Sequence, residues 1–291
     1  MAEIKPCEPS VLYNLLNRSG ARLAEINYLC LIDARETQDY RTSHIITAKP
    51  VKADSEAAFL LPEALEVDSM QHVFVYDSNT SSVQEDSRAL LCARVLSEVS
   101  LSPVLVVIGG FQRFSALYPY LRTEKIMYNR HRLVHELESL KPYPVEILSG
   151  LLYLADEKQS ADCSLLGEMK ISLVILLSQQ STRGSQTIAN FPVDDSVTAD
   201  LYSSFERICD LIASTIDSGS RVLIASPRGR SRCSAVTIAF LMKHRKHTLQ
   251  EAWSLVLACK PDMRPNAGFL QQLAAWELHL TGRRETNTSL L

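Results

Sequence analysis

The sequence predicts two α/β domains in tandem, and three observations carry that expectation. The chain has 291 residues, 46% of them hydrophobic and 22% charged, which is enough apolar material for two separate cores. Each half alternates short apolar runs of strand length with stretches of helical periodicity. Between the halves, residues 124–142 are rich in Lys, Arg, His and Glu, hold few large apolar side chains and close on Pro142, as a linker would.

In residues 1–123 the strand-like runs are Tyr28 to Asp33, Val73 to Tyr76 and Pro103 to Ile108. Each is continuously apolar rather than alternating, the pattern of a parallel strand buried on both faces. Residues 143–283 repeat the arrangement with runs near Glu146 to Leu148, Ser172 to Leu177 and Val222 to Ala225. Apolar-periodic helices follow at 234–244, 248–259 and 266–281, and residues 284–291, with Thr286 and Thr288 among them, are expected to fray as a tail.

Composition narrows the function classes. A formal net charge of −3 gives no reason to expect nucleic acid or an anionic membrane as the main partner, so any phosphate recognition must be local. No apolar run approaches the roughly 18 residues of a membrane span, and the N-terminus has neither a secretory nor an Arg-rich transit pattern. The expected compartment is the cytoplasm, with an organelle signal, mitochondrial included, left open. The seven cysteines are odd in number, scattered and never in a C-x-x-C pair, so they read as reduced thiols. His131/His135 and His244/His247 have helical spacing without a metal-ligating neighbour and read as solvated helix faces, so neither a metal nor a cofactor is expected.

The chemistry concentrates in Val222-Leu223-Ile224-Ala225-Ser226-Pro227-Arg228-Gly229-Arg230-Ser231-Arg232-Cys233-Ser234, a strand, a tight polar loop and a helix start. Backbone N–H groups of such a loop point inward, the helix N-terminus adds positive potential, and a terminal Arg can hold two phosphate oxygens. The stretch resembles the loop of the cysteine-dependent phosphatases, which reads His-Cys, five residues, Arg. Gly229, Ser231 and Arg232 match it, and Arg228 and Arg230 add local charge for binding phosphate. Ala225 and Ser226 stand where the pattern has His and Cys. A thiol against this cradle ionises near neutral pH and attacks phosphorus, whereas a serine hydroxyl needs a base that Ala225 cannot be. Loss of a nucleophile outright costs on the order of 10⁶ in turnover. None of the seven cysteines has an Arg six residues on, so no shifted register restores the motif, and Cys233 reads as a small core residue. Pro227 has no N–H and removes one donor from the cradle.

Three further segments resemble the dual-specificity protein phosphatases. Phe191-Pro192-Val193-Asp194-Asp195 is similar to their general-acid loop, with Asp195 in the place of the acid about thirty residues before the phosphate loop. Pro144 to Leu148 with Gly150 to Leu154 resembles their opening strand and turn, and Arg264-Pro265-Asn266-Ala267-Gly268-Phe269-Leu270, followed by Gln272, Leu273 and Glu277, their closing signature.

Upstream, Leu31-Ile32-Asp33-Ala34-Arg35, then His44, Ile45 and Ala48, and later Val106 to Phe111 with Tyr118-Pro119, resemble a rhodanese domain. That resemblance puts a persulfide-bearing Cys where this chain has Asp77, which cannot carry sulfur. A rhodanese-like domain before a dual-specificity phosphatase-like α/β domain is the layout of the MAP kinase phosphatases. Their kinase-docking arginines have no match in Ala48 to Leu65, where Lys49 and Lys52 face Asp54, Glu56 and Glu63 and the charge nearly cancels. The resemblance implies an inactive pseudophosphatase without catalytic residues, a protein-binding or scaffolding regulator of phosphorylation-dependent signalling whose partners are proteins such as phosphoproteins or kinases. A residual phosphatase of different nucleophile and a MAP kinase docking module stay open as alternatives.

Overall fold

The computed structural model describes residues 1–18, 20–53, 59–60, 66–125, 137, 140–179, 186–283, 285–288 and 291. The pair His131/His135 and most of residues 124–142 lie outside that set. The chain divides into two compact units, Met1–Pro142 and Tyr143–Leu291.

In chain order the first unit runs β1 (Ile4–Cys7), α1 (Pro9–Leu16), α2 (Gly20–Ala24), β2 (Leu29–Asp33), α3 (Thr37–Thr42), β3 (His44–Ile45), β4 (Lys49–Pro50), β5 (Lys52–Ala53), β6 (Phe59–Leu60), β7 (His72–Tyr76), α4 (Arg88–Val99), β8 (Val104–Val107), α5 (Gly110–Leu117) and β9 (Arg122–Thr123). Its main sheet has the order β1-β8-β7-β2-β4, every pair parallel. Both faces of β2 and β7 are covered, which is why these strands are apolar throughout. On one side Ile32, Val73 and Val75 pack beneath Ala89, Ala93 and Leu96 of α4. Elsewhere Tyr13 of α1 stacks on Tyr118 beside Phe114 of α5.

The Asp33–Arg35 pair is a polar knot in this unit. Asp33 is fully buried and receives Arg35 Nη2 at 2.7 Å and Tyr76 Oη at 2.7 Å. Arg35 also donates to Ser43 O at 2.7 Å and lies 3.8 Å over the Phe111 ring. Burial raises the Tyr76 phenol well above its ordinary value, and the Asp33 charge adds to that, so the phenol stays a donor.

The second unit runs β10 (Val145–Leu148), β11 (Leu152–Ala155), α6 (Glu157–Ala161), α7 (Cys163–Glu168), β12 (Ile171–Leu176), β13 (Thr187–Asn190), α8 (Tyr202–Asp217), β14 (Arg221–Ala225), α9 (Arg232–Arg245), α10 (Leu249–Cys259) and α11 (Ala267–Thr281). Its sheet order is β10-β11-β14-β12-β13, with β10 antiparallel and the rest parallel. β14 is central, so Val222, Leu223, Ile224 and Ala225 are fully buried. Helix α9 is buried along most of its length among α8, α10 and α11, so its sequence is apolar almost all round. His244 is half-buried rather than solvated: its ring stacks on Phe240 and its Nε2 stands 3.4 Å from Asp210.

Residues 285–288, within the segment expected to fray, are instead tied down. Glu277, 1% exposed, accepts from Leu249 N at the start of α10, from Glu285 N, and from both the N–H and the hydroxyl of Thr286. Thr286 Oγ1 in turn accepts from Gln250 N, and Leu291 packs on the core. The carboxylate replaces the intrahelical partner that Leu249 lacks, and that partnership fixes the tail. Burial alone would raise the Glu277 carboxyl, and these hydrogen bonds outweigh it, so it titrates below its ordinary value. A depressed folded value gives stability that is present above the unfolded pKa of about 4.3 and lost as pH falls through the folded one. Glu277→Ala should therefore cost about 2–4 kcal/mol at neutral pH, where it strands buried N–H groups, and the gap should narrow below that unfolded value. Urea melts across pH, read by tryptophan emission, test this, and a gap independent of pH would reject the carboxylate's role.

Candidate functional site: the phosphate-type loop

The loop leaves the carboxyl end of β14, where open parallel sheets bind ligands. Ala225 ends the strand with no exposed surface, held in register between Ala155 and Leu176. Ser226 follows at 2% exposure, and its backbone N–H donates to Ala155 O at 3.4 Å. Gly229 N–H donates to Ser226 O at 2.9 Å and closes a turn with Pro227 and Arg228 at its corners. Proline's fixed φ suits the first corner, so Pro227 removes a donor and stiffens the turn at once. Gly229 has φ +62°, and a Cβ there would stand 3.0 Å from Ala155 O, so both backbone and space require glycine.

The helix end of the loop gathers the remaining predicted residues. Arg232, 8% exposed, donates from Nη1 to Val193 O at 2.8 Å, while its Nε is buried without a partner. Ser231 Oγ donates to Asp195 Oδ1 at 2.6 Å, and Asn266 Nδ2 donates to the same oxygen at 3.0 Å. Asp195 is thus brought to the loop, and it and the neighbouring Asp194 are both exposed. Arg230 points outward to Asp262 Oδ2 at 3.0 Å, and its carbonyl accepts from Arg264 N. Arg228 is exposed and, among the described residues, makes no ion pair. Of the five candidate phosphate contacts, Gly229, Ser231 and Arg232 therefore converge, and the side chains of Arg228 and Arg230 do not.

Two participants were not assigned from sequence. Asn266 caps α11 by accepting from Phe269 N and with its amide fixes Asp195, a dual role visible only in three dimensions. Cys233 is fully buried at the start of α9. Burial raises the Cys233 thiol, and the neighbouring Ser226 hydroxyl offsets only part of the rise. Among the described residues no imidazole or carboxylate is within hydrogen-bonding contact of the Ser226 hydroxyl. The loop retains an anion cradle, a buried arginine with an unused donor and a positioned carboxylate.

The corresponding position in the first unit is Asp77, one residue past the central β7. Its Oδ1 accepts from Asn79 N and Thr80 N, and its Oδ2 from Thr80 Oγ1 and from Ala89 N in the first turn of α4. Gly110 packs against this loop so closely that a Cβ would lie 2.4 Å from Asp77 O.

A mostly parallel sheet whose central strand feeds a tight loop, a helix N-terminus and a loop-end arginine fits the class of phosphate-loop phosphatase folds. The family model for the dual specificity phosphatase catalytic domain matches residues 152–279, and that for the rhodanese-like domain matches residues 9–117. Dual specificity protein phosphatase 5 of Rattus norvegicus is 27% identical over 93% of this chain and 75% of its own length. Dual specificity phosphatase 28 of Mus musculus is 31% identical over 47% of this chain and 85% of its own length. A crystal structure of human DUSP28 covers 47% of this chain and 98% of its own at 28% identity, with a TM-score of 0.45. The chain belongs to the dual-specificity protein phosphatase family, with a rhodanese-like domain ahead of the phosphatase-type one.

Proposed function

We propose that this chain is a catalytically inactive pseudophosphatase that works by binding proteins, as a scaffold or regulator in phosphorylation-dependent signalling. The observation that carries the reading is Ser226: a buried hydroxyl in the loop where the family has its nucleophile, preceded by the methyl group of Ala225. Asp195 and Arg232 stay in place around it, which favours holding a phosphoryl group without cleaving it. Phosphoproteins and kinases are the partner class this chemistry fits. A cytoplasmic setting is supported by the cysteines, all free thiols.

Turnover of p-nitrophenyl phosphate by the purified chain should be no greater than that of its Ser226→Ala variant, with no burst and no phosphoenzyme in rapid-quench experiments. Turnover above background that Ser226→Ala abolishes would overturn the proposal in favour of a serine-based hydrolase.

A further inference from the structure

The first unit contains a cavity of about 590 Å³, within the range of small-molecule sites. Arg41, Lys49, Lys52, Arg122 and Lys125 line it, and among the described residues no carboxylate does. These five come from α3, β4, β5, β9 and the segment after β9, so sequence reading counted only the two lysines. Among the described residues none of the five makes an ion pair. Other basic side chains of the same unit are matched with acids, Arg35 with Asp33, Arg88 with Glu36 and Arg113 with Glu8. Five cations set around one concavity repel one another, and an anion relieves that repulsion.

The interior is apolar as well as basic. Ile46, Leu137 and Leu140 form part of the wall, with the ring of His44, stacked on Tyr40, behind them. Thr47, also lining, has φ +69°, a costly conformation for a β-branched residue, and its buried Oγ1 has no hydrogen-bond partner. Strain of this kind persists where surrounding structure fixes it for a purpose. A bare phosphate would leave the apolar wall wet, and a neutral hydrocarbon would leave the cations unmatched.

We infer that this cavity binds a soluble single-chain amphiphile, an anionic head of carboxylate or phosphate on an apolar tail. The cations and the Thr47 hydroxyl take the head, and Ile46, Leu137 and Leu140 take the tail.

The test is calorimetry on the full chain with decanoate, decyl phosphate, inorganic phosphate and decanol, each below its micelle concentration where it has one. Saturable one-to-one binding of decanoate is expected, and decyl phosphate should show a site that the Arg41/Lys125 reversal removes, with inorganic phosphate and decanol at least tenfold weaker at that site. The preferred head identifies the ligand as fatty carboxylate or alkyl phosphate. Arg41→Glu with Lys125→Glu, both at exposed positions, should weaken the amphiphiles at least tenfold, and Arg228→Glu with Arg230→Glu in the second unit should not. Leu140→Asp should weaken decyl phosphate while leaving inorganic phosphate unchanged. Equal affinity for inorganic and decyl phosphate, equal affinity for decanol and decanoate, or no binding overturns the inference. So does indifference to the Arg41/Lys125 reversal, or displacement of the amphiphile by a tenfold lower concentration of a Glu-rich peptide, which would assign the surface to acidic protein segments.

Discussion

Changing Ala225 to His and Ser226 to Cys together should raise turnover of p-nitrophenyl phosphate by at least about 10³-fold over the unmodified chain, because a missing nucleophile accounts for most of the activity such a site can lose. The surroundings that a thiolate needs are in place. Gly229 holds the left-handed corner of the loop, Arg232 keeps a buried Nε without a partner, and Asp195 is fixed by Ser231 and Asn266. Adding Asp195→Ala to the reverted protein should then remove about 10²-fold, the usual contribution of a general acid. Stopped assays with circular dichroism on each variant decide the matter. A reverted protein that is folded and silent would mean that the stiff Pro227 corner, or Arg232 held on Val193 O, has closed the pocket to substrate.

Arg35→Ala should destabilise the first unit by about 3–5 kcal/mol, since it leaves the Asp33 carboxylate buried without its counter-ion. The guanidinium also holds Ser43 O and covers the Phe111 ring, so the turn after α3 loosens with it. Both tryptophans, Trp253 and Trp276, belong to the second unit, which makes the two units separable by probe. The urea midpoint seen by circular dichroism should fall and that seen by tryptophan emission should hold. Replacing both partners, with Asp33→Leu and Arg35→Met, should recover part of the loss, because neither charge is then stranded. If the double variant is as unstable as Arg35→Ala, the knot matters for its hydrogen bonds with Tyr76 and Ser43 rather than for its paired charge.

The central strands were legible because burial on both faces writes an unbroken apolar run, and β2, β7 and β14 have one. β1 and β13 were not: Ile4–Cys7 carries Lys and Pro, Thr187–Asn190 is polar at both ends, and both are edge strands whose outer side asks nothing apolar of them. The loop itself could be located from its glycine, serine and arginine. What surrounds it could not, because Ser231 meets Asp195 from 36 positions away and Asn266 from 71, and spacing says nothing about such pairs. The tail was misjudged for the same reason. A polar Thr286 looks frayed until the buried acceptor Glu277 is known. The basic cavity escaped because its cations lie on five segments, each unremarkable in charge by itself.

Asp77 has a consequence for the rhodanese-like loop that follows from its hydrogen bonds alone. Its carboxylate occupies the N–H groups of Asn79, Thr80 and Ala89, donors that an external anion would otherwise have to find. A ligand joined to its receptor by the backbone is present at an effective concentration no solute reaches, and it never diffuses away. The loop therefore carries its own anionic partner within the chain. Removing the tether, as Asp77→Ala would, converts a fixed architectural element into a vacant receptor whose order depends on what the solution supplies.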